Sequence, residues 1–301
     1  MVRFGLQLPY AIPATRDDLL TWARRADAGP FRTLSIGERI TFHNAEQVAA
    51  LAAAAAVTDR VRLLTNVTVL PIHSVALLAK SLATIDRLSG GRLIVTAGVG
   101  SRAEDFAAAG SSYTNRWQRL DDSVDAMKRL WLGEAAEPGG TQVGPPPHTA
   151  GGPPLHCAAT GPKALKRAVA WACGYQGFTT NGDEDTMAGV VQRVTEAFAV
   201  AGRPRPELGV SCFFALGEGA LDRLRNVVAR YYGFAGAAHR AAVVGALTIA
   251  SAGEMVALVQ HAGAAGYDEV HFLPTTTDPA EIDRLEEALA PCVTVENEDT
   301  D

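Results

Sequence analysis

The most pointed chemistry in the chain lies at residues 154–166, PLHCAATGPKALK. Residues 154–159 are apolar and short, as a buried strand is. Thr160-Gly161-Pro162 breaks that pattern. From Lys163 onward the spacing of Leu165 and Val169 gives one face of a helix, and Pro162 suits its first turn. A strand, a tight turn and a helix in this order aim free backbone N–H groups and the positive end of the helix dipole at the turn, which makes an anion site. Thr160 adds a hydroxyl, and Gly161 lets a phosphate approach the backbone closely. Two readings stand here: the turn holds a cofactor phosphate, or it is one of the many strand-to-helix turns of an α/β protein.

The elements that must position this turn form a regular alternation. Residues 3–8 are a short strand ending at Pro9. Residues 15–28 read as a helix with Thr15 as N-cap and Asp17-Asp18 in the first turn. Residues 32–37 are a second strand and 44–57 an alanine-rich helix. Residues 61–69, VRLLTNVTV, are a third strand rich in β-branched residues. Val75, Leu78, Leu82 and Ile85 then form one apolar stripe, closed by Ser89-Gly90-Gly91. Residues 92–99 are a fourth strand. Residues 115–131 are a helix burying Trp117, Leu120, Val124, Met127 and Leu130.

Residues 138–154 interrupt the alternation. Eleven of these 17 residues are Gly or Pro, so the segment reads as an irregular surface excursion; the same pattern resumes after it. The 154–166 stretch supplies the fifth unit, 175–179 with 184–201 the sixth, and 207–216 with 221–232 the seventh. A connecting segment and a helix near 254–264 precede the eighth, 269–273 with 281–290. Eight strand-helix units predict a (β/α)8 TIM barrel, with the Gly/Pro-rich excursion between the fourth and fifth units. A doubly wound open sheet is the other architecture weighed; Gly98-Val99-Gly100 follows the fourth strand and lacks the third glycine of a dinucleotide fingerprint. In a barrel the functional groups lie at the C-terminal ends of the strands. That selects Gln7, Glu38, Arg39, Asn66, Gly100, Ser101, Thr160, Gly161, Thr179, Thr180 and Asn181.

A net charge of -6 gives no general attraction for nucleic acid or an anionic membrane. No apolar run approaches the ~20 residues of a membrane span, and MVRFGLQLP lacks the apolar core of a signal peptide. Cys157, Cys173, Cys212 and Cys292 are widely spaced, which indicates neither a zinc site nor a disulfide framework. A cytoplasmic enzyme with reduced thiols is the expectation. The barrel domain is expected over residues 1–295, followed by an acidic tail, ENEDTD, at 296–301.

The segment 77–100, LLAKSLATIDRLSGGRLIVTAGVG, resembles the helix-turn-strand signature of the bacterial-luciferase-like family of flavin and deazaflavin oxidoreductases. DRVRLLTNVTVLP at 59–71, RWQRLDDSVDAMKRLW at 116–131 and YDEVHFLP at 267–274 resemble that family's third strand, following helix and last strand. The resemblance runs over nearly the whole chain and implies the same barrel. It also implies that Ala159, Thr160 and Gly161 hold the cofactor phosphate through backbone amides. AATGPKAL is more similar to the branch that uses coenzyme F420, a deazaflavin, than to the FMN branch, which more often has serines there. Asn66-Val67 occupies the place where several members carry a bulge with a non-prolyl cis peptide behind the cofactor ring; an ordinary trans strand is the alternative. Gly100, Ser101 and Thr179, from their places at the strand ends, are the further expected cofactor contacts.

The implied catalytic positions depart from the family pattern. Many members have Asp-His where this chain has Glu38-Arg39. Glu38 keeps the carboxylate, but the Arg39 guanidinium stays charged and cannot donate a proton at neutral pH. Arg39 either binds an anion or steadies charge on the reduced ring, or it forms an ion pair with Glu38. Ser101 stands where the sugar-phosphate-oxidising members have glutamate, so that substrate is not carried over. His73, just beyond the third strand, is then the acid/base left near the mouth, with a surface histidine as the other reading. His43 is a second candidate of that kind, whereas His156 and His271 fall within predicted strands and read as satisfied structural residues. No His/Asp/Glu spacing suits a metal. The implied activity is hydride transfer between F420 and a small organic substrate. The alternatives are an FMN-dependent monooxygenase and a cofactor-binding protein without catalysis. A homodimer is left open.

Overall fold

The predicted alternation closes on itself. Eight parallel strands pair in sequence order: β1 (Arg3–Gln7), β2 (Thr33–Ile36), β3 (Arg62–Val69), β4 (Leu93–Gly98), β5 (Leu155–Cys157), β6 (Gly174–Phe178), β7 (Glu207–Phe214) and β8 (Glu269–Pro274). β8 returns to β1 with Arg3 opposite Glu269 and Gly5 opposite His271. The computed structural model describes residues 1–159 and 161–293. Thr160 and the expected acidic tail at 296–301 lie outside the described residues.

The outer ring is α1 (Arg16–Ala28), α2 (Gln47–Ala55), α3 (Val75–Leu88), α4 (Ala103–Ala108), α5 (Arg116–Trp131), α6 (Pro162–Ala168), α7 (Glu184–Val200), α8 (Ala220–Tyr231), α9 (Ala237–Gly245), α10 (Ala252–Ala265) and α11 (Ala280–Leu289). Among the described residues no helix is long and apolar enough to cross a membrane. Local chemistry sets several boundaries as expected. Thr15 and Asp18 form a reciprocal capping box that starts α1. After α3, Gly90 and Gly91 take φ of 66° and 87°, the left-handed conformations that glycine adopts without penalty.

The structure departs from the sequence reading at several elements. α2 begins at Gln47, not 44, because the Glu46 carboxylate caps the N–H groups of Val48 and Ala49. α4 has no counterpart in the sequence reading and α9 falls in its connecting segment; α4 spans only six residues, and no residue of α9 is buried, so neither presents an apolar stripe. Trp117, expected in the core, is 38% exposed. The Gly/Pro-rich excursion is packed against the barrel. The Asp86 carboxylate accepts from the Thr149 N–H (2.7 Å) and hydroxyl (3.1 Å), which pins the loop to α3.

The barrel axis is polar. At the floor, Arg62 at the start of β3 donates to Glu207 (2.8 Å) and Glu269 (2.6 Å). Above them His271 packs over Gly5, where an added Cβ would lie 2.2 Å from its Nδ1. His156 shares a hydrogen bond with Gln176 at 3.2 Å, so it is satisfied as expected. His271 is buried, but neither ring nitrogen has a partner among the described residues, contrary to the expectation of a satisfied histidine. Burial lowers both histidines' affinity for a proton, His156 to a pKa of about 4.

Candidate active site

The C-terminal ends of the strands carry one irregularity. β3 and β4 are in register at Thr65–Val95 and again at Thr68–Ala97, so Asn66 and Val67 bulge from the ladder. The peptide between them is cis. Asn66 Nδ2 donates to Ser211 Oγ at 2.9 Å. Val67 fills the space over Gly98, where a Cβ would come within 2.6 Å of Val67 Cγ1. The bulge is held from outside by Gln47. Its Nε2 donates to the carbonyls of Ile36 (2.9 Å) and Val67 (3.3 Å), and its Oε1 accepts from Thr68 Oγ1 (2.7 Å). Sequence reasoning missed Gln47; the one available signal was a lone amide in the run QVAALAAAA.

Three cavities lie at this end of the barrel. The mouth cavity, ≈ 250 Å³, is lined by Asn66, Val67, Gln176, Ser211, Phe213 and Tyr231 among others. The second, ≈ 640 Å³, opens at the 159–161 turn between Trp117, Ala158, Ala159, Gly161, Lys163 and Arg167. The third, ≈ 200 Å³, lies on the rim between Glu38, Arg39, Gly100, Ser101, Arg102 and Phe234. Ala158 lines both the turn cleft and the mouth, and Tyr231 and Tyr232 line both the mouth and the rim cavity. The three therefore neighbour one another across the C-terminal end of the barrel.

The turn cleft departs from the sequence picture in its electrostatics. α6 has only seven residues, so its dipole is small, and the nearby cations are Lys163 and Arg167, the latter paired with Asp121 at 2.7 Å. Gly161 has φ −81° and ψ 149°, extended backbone that any residue adopts. Its lack of a side chain matters for space: a Cβ there would meet nothing within 4 Å.

On the rim, Glu38 is the organising group. Its Oε2 accepts from the Val69 N–H at 2.6 Å, and its Oε1 lies 2.7 Å from His73 Nε2. Burial works against a charged His73, but the Glu38 carboxylate, with Glu46 beyond it, outweighs burial and raises the histidine pKa above its ordinary value. Glu38 lines the rim cavity; His73, 22% exposed at its side chain, lines none of the three.

Arg39 does not pair with Glu38. Its Nη1 donates to the Tyr231 carbonyl at 2.6 Å, at the C-terminal end of α8. Its guanidinium lies 4.2 Å from the Phe42 ring centre and 4.4 Å from that of Tyr231. Gly100, with φ 71°, is held against Val69, where a Cβ would come within 2.5 Å of Cγ1. Ser101 is exposed, and its carbonyl accepts from the Tyr113 hydroxyl at 3.2 Å. Thr179 stands apart from the site. It lines none of the three cavities, and its hydroxyl accepts from the Gly182 N–H at 3.0 Å to close the turn after β6. His43 stacks on Phe42, with ring centres 4.0 Å apart. Tyr10 and Tyr231, unnoticed in the sequence, share a hydroxyl–hydroxyl bond of 2.6 Å at the mouth.

A family model described as luciferase-like monooxygenase matches residues 2–247. An uncharacterized protein of Mycobacterium tuberculosis is 41% identical over 86 residues, a match spanning 29% of this chain and only 30% of that protein. Among solved structures, a monooxygenase of Streptomyces bottropensis superposes with a TM-score of 0.79 at 22% identity, over 97% of this chain and 99% of that one. An F420-dependent secondary alcohol dehydrogenase carrying an F420-acetone adduct gives 0.78 at 18% identity over the same shares. The oxygenating constituent of 3,6-diketocamphane monooxygenase from Pseudomonas putida, with FMN, gives 0.74 at 16%, again over 97% of this chain and 99% of that one. At these identities the likeness is one of fold.

Proposed function

Because the chain belongs to the luciferase-like monooxygenase family, we propose that it transfers a hydride between a deazaflavin of the F420 type and a small organic substrate. The observation that carries this reading is the row of neighbouring cavities from the turn cleft, past the bulge, to the rim that Glu38 lines with His73 bonded behind it. The residues present fit a flat tricyclic ring. Val67 offers an apolar wall, and Gln176, whose side-chain oxygen is buried without a partner among the described residues, offers an acceptor for a ring N–H. Ala159, Thr160 and Gly161 would border the cofactor's phosphate, with Lys163 and Arg167 as counter-charges. A cleft of ≈ 640 Å³ suits the long anionic side chain of a deazaflavin better than a single terminal phosphate.

When bound, the cofactor supplies the hydride donor or acceptor. The chain orients the partners, excludes water and manages one proton. Phe213, Tyr231 and Tyr232 make the mouth apolar, which favours a substrate with little charge. Glu38 meets the rim cavity, and His73, which touches solvent, bonds Glu38 Oε1 through Nε2 behind it. The pair thus forms a relay: a proton held at His73 Nε2 reaches the substrate by way of Glu38 Oε1. Arg39 serves this site by fixing the end of α8, and with it Tyr231, rather than by proton transfer. Gly100 and Ser101 shape the rim. A cytoplasmic location and a single barrel domain over residues 1–295 belong to the same reading.

An FMN-dependent monooxygenase is the second reading, favoured by the fold it shares with the FMN-bound structure above. Anaerobic single-turnover absorbance separates the two. Oxidation or reduction of F420 by a panel of alcohols, ketones and activated alkenes supports hydride transfer. Turnover that requires FMN and oxygen, with none on F420, overturns it in favour of oxygenation; tight cofactor binding without turnover on any substrate would leave a binding protein.

A further inference from the structure

Arg39 is a buried cation with no carboxylate of its own. It is 8% exposed, and its guanidinium rests on three aromatic rings, 4.2 Å from the centre of Phe42, 4.4 Å from that of Tyr231 and 5.0 Å from that of Phe234. Nη1 is spent on the Tyr231 carbonyl. Nε is buried without a partner, and Nη2 has no acceptor among the described residues. Donors left in that state cost stability until an acceptor reaches them. Arg39 lines the rim cavity, and the carboxylates of the same wall are already committed. Glu38 accepts from Val69 and His73. Asp105 takes the Thr41 N–H (2.8 Å) and hydroxyl (2.6 Å) on Oδ1 and Arg102 Nε (3.1 Å) on Oδ2. Arg102 stands 4.3 Å from the Phe234 ring centre, with its own Nη1 buried and unpartnered. The wall therefore has guanidinium donors to spare and no acceptor inside the chain to take them.

The charge balance decides which acceptor belongs there. Arg39 and Arg102 face Glu38 and Asp105, so these four leave the cavity without net charge, and much of the remaining wall is apolar or aromatic. An anion would meet the Glu38 carboxylate as well as the guanidinium groups; an uncharged oxygen accepts from Arg39 without that repulsion. The cavity holds ≈ 200 Å³ and shares Tyr231 and Tyr232 with the mouth, so a molecule lying on these rings reaches both. We propose that the rim cavity is a substrate subsite in which Arg39 holds an uncharged carbonyl oxygen. The substrate is then a small apolar molecule with two oxygen functions, one at the reacting carbon in the mouth and one on Arg39. The identity of the reacting function rests on the hydride-transfer reading: its carbonyl carbon gains the hydride and its oxygen gains the proton by way of Glu38, giving the alcohol, or the alcohol returns both. The oxygen on Arg39 is unchanged in either direction. Arg39 thus binds ground state and transition state alike and selects the substrate through KM.

Three ring ketones that differ only at the carbon opposite the carbonyl test the subsite: cyclohexanone, cyclohexane-1,4-dione and 4-oxocyclohexanecarboxylate. Their affinities for the full chain, with and without F420, are read by ligand-observed NMR, alongside Arg39→Met, which removes the donors, and Arg39→Lys, which keeps a charged one. The parent should bind the dione about tenfold more tightly than cyclohexanone, the worth of one hydrogen bond from a charged donor. Arg39→Met should erase that preference and Arg39→Lys keep part of it. Equal affinity for dione and cyclohexanone in the parent overturns the proposal without recourse to any variant. So does a dione preference that survives Arg39→Met, and so does the absence of binding by all three ketones. Tenfold tighter binding of the carboxylate than of the dione makes the subsite an anion site, and the assignment to an uncharged oxygen is then wrong. Oxidation of reduced F420 by the dione, with KM rising in Arg39→Met at constant kcat, is the expected kinetic result. An Arg39-dependent dione preference with no F420 oxidation upholds the subsite and overturns the hydride reading instead.

Discussion

Glu38→Gln is the perturbation that tests the rim chemistry most sharply. The carboxylate is 6% exposed at its side chain and accepts two hydrogen bonds, from Val69 N–H at 2.6 Å and from His73 at 2.7 Å. Glutamine keeps the shape and can still accept from Val69, but its amide group meets His73 Nε2 as a donor. Replacing charge-assisted bonds by neutral ones costs about 1 kcal/mol each, so about 2 kcal/mol is expected while His73 is charged. The pH dependence has a definite sign. His73 binds its proton more tightly folded than unfolded, so the pair's stabilisation is complete below about pH 6.5 and is lost as pH rises through the raised folded value. The stability difference between parent and variant should therefore be largest at acid pH and shrink above neutrality, as read by urea unfolding at several pH values. Histidine NMR titration should show His73 hold its proton less tightly than in the parent, because with the Glu38 carboxylate gone only Glu46 still opposes burial. Turnover should drop by about 10²-fold or more. An unchanged His73 titration with full turnover would refute the relay.

Gly161→Val should weaken cofactor binding at least tenfold with an unchanged melting curve, since φ −81° accommodates valine and only the cleft is obstructed; equal affinity in titration calorimetry would remove the turn from the site. Arg39→Ala should cost about 3 kcal/mol, from the stacked cation and its bond to Tyr231, with Arg39→Lys recovering part of it. Steady-state kinetics should show KM rising while kcat stays near the parent value; a collapsed kcat at unchanged melting temperature would make Arg39 a participant in the chemistry. His156 refuses a proton until about pH 4, whereas the unfolded chain takes it near pH 6.5. Stability should therefore fall as pH drops between these values, by up to ~3 kcal/mol. His156→Gln should flatten that slope in denaturant melts.

The barrel was legible because each strand and most helices carry their own periodic signal. The helices around Leu78, Leu82 and Ile85 or around Leu120, Val124 and Met127 bury those residues as their spacing indicates. α9 has no buried residue and so had no pattern to read. The Asn66–Val67 bulge could be placed by resemblance, but the Gln47 amide that braces it comes from another element and has no local signature. The same reason explains Arg39. Its neighbour in sequence is Glu38, yet its partner is the Tyr231 carbonyl, 192 residues away. Charge adjacency along the chain does not reveal which face of a loop packs on α8. Thr179 was chosen for its place at the end of β6, and that position does not disclose that its hydroxyl is committed to Gly182.

The central claim is that the cavities at the C-terminal end of the barrel hold a deazaflavin with its ring over the bulge and its anionic side chain at the turn. A crystal structure of the chain grown with F420 tests it directly. The account requires the ring in the mouth against Val67, the side chain between Gly161, Lys163 and Arg167, and Glu38 across the rim from the ring's open face. A ring bound elsewhere, or a side chain that avoids the 159–161 turn, would contradict it.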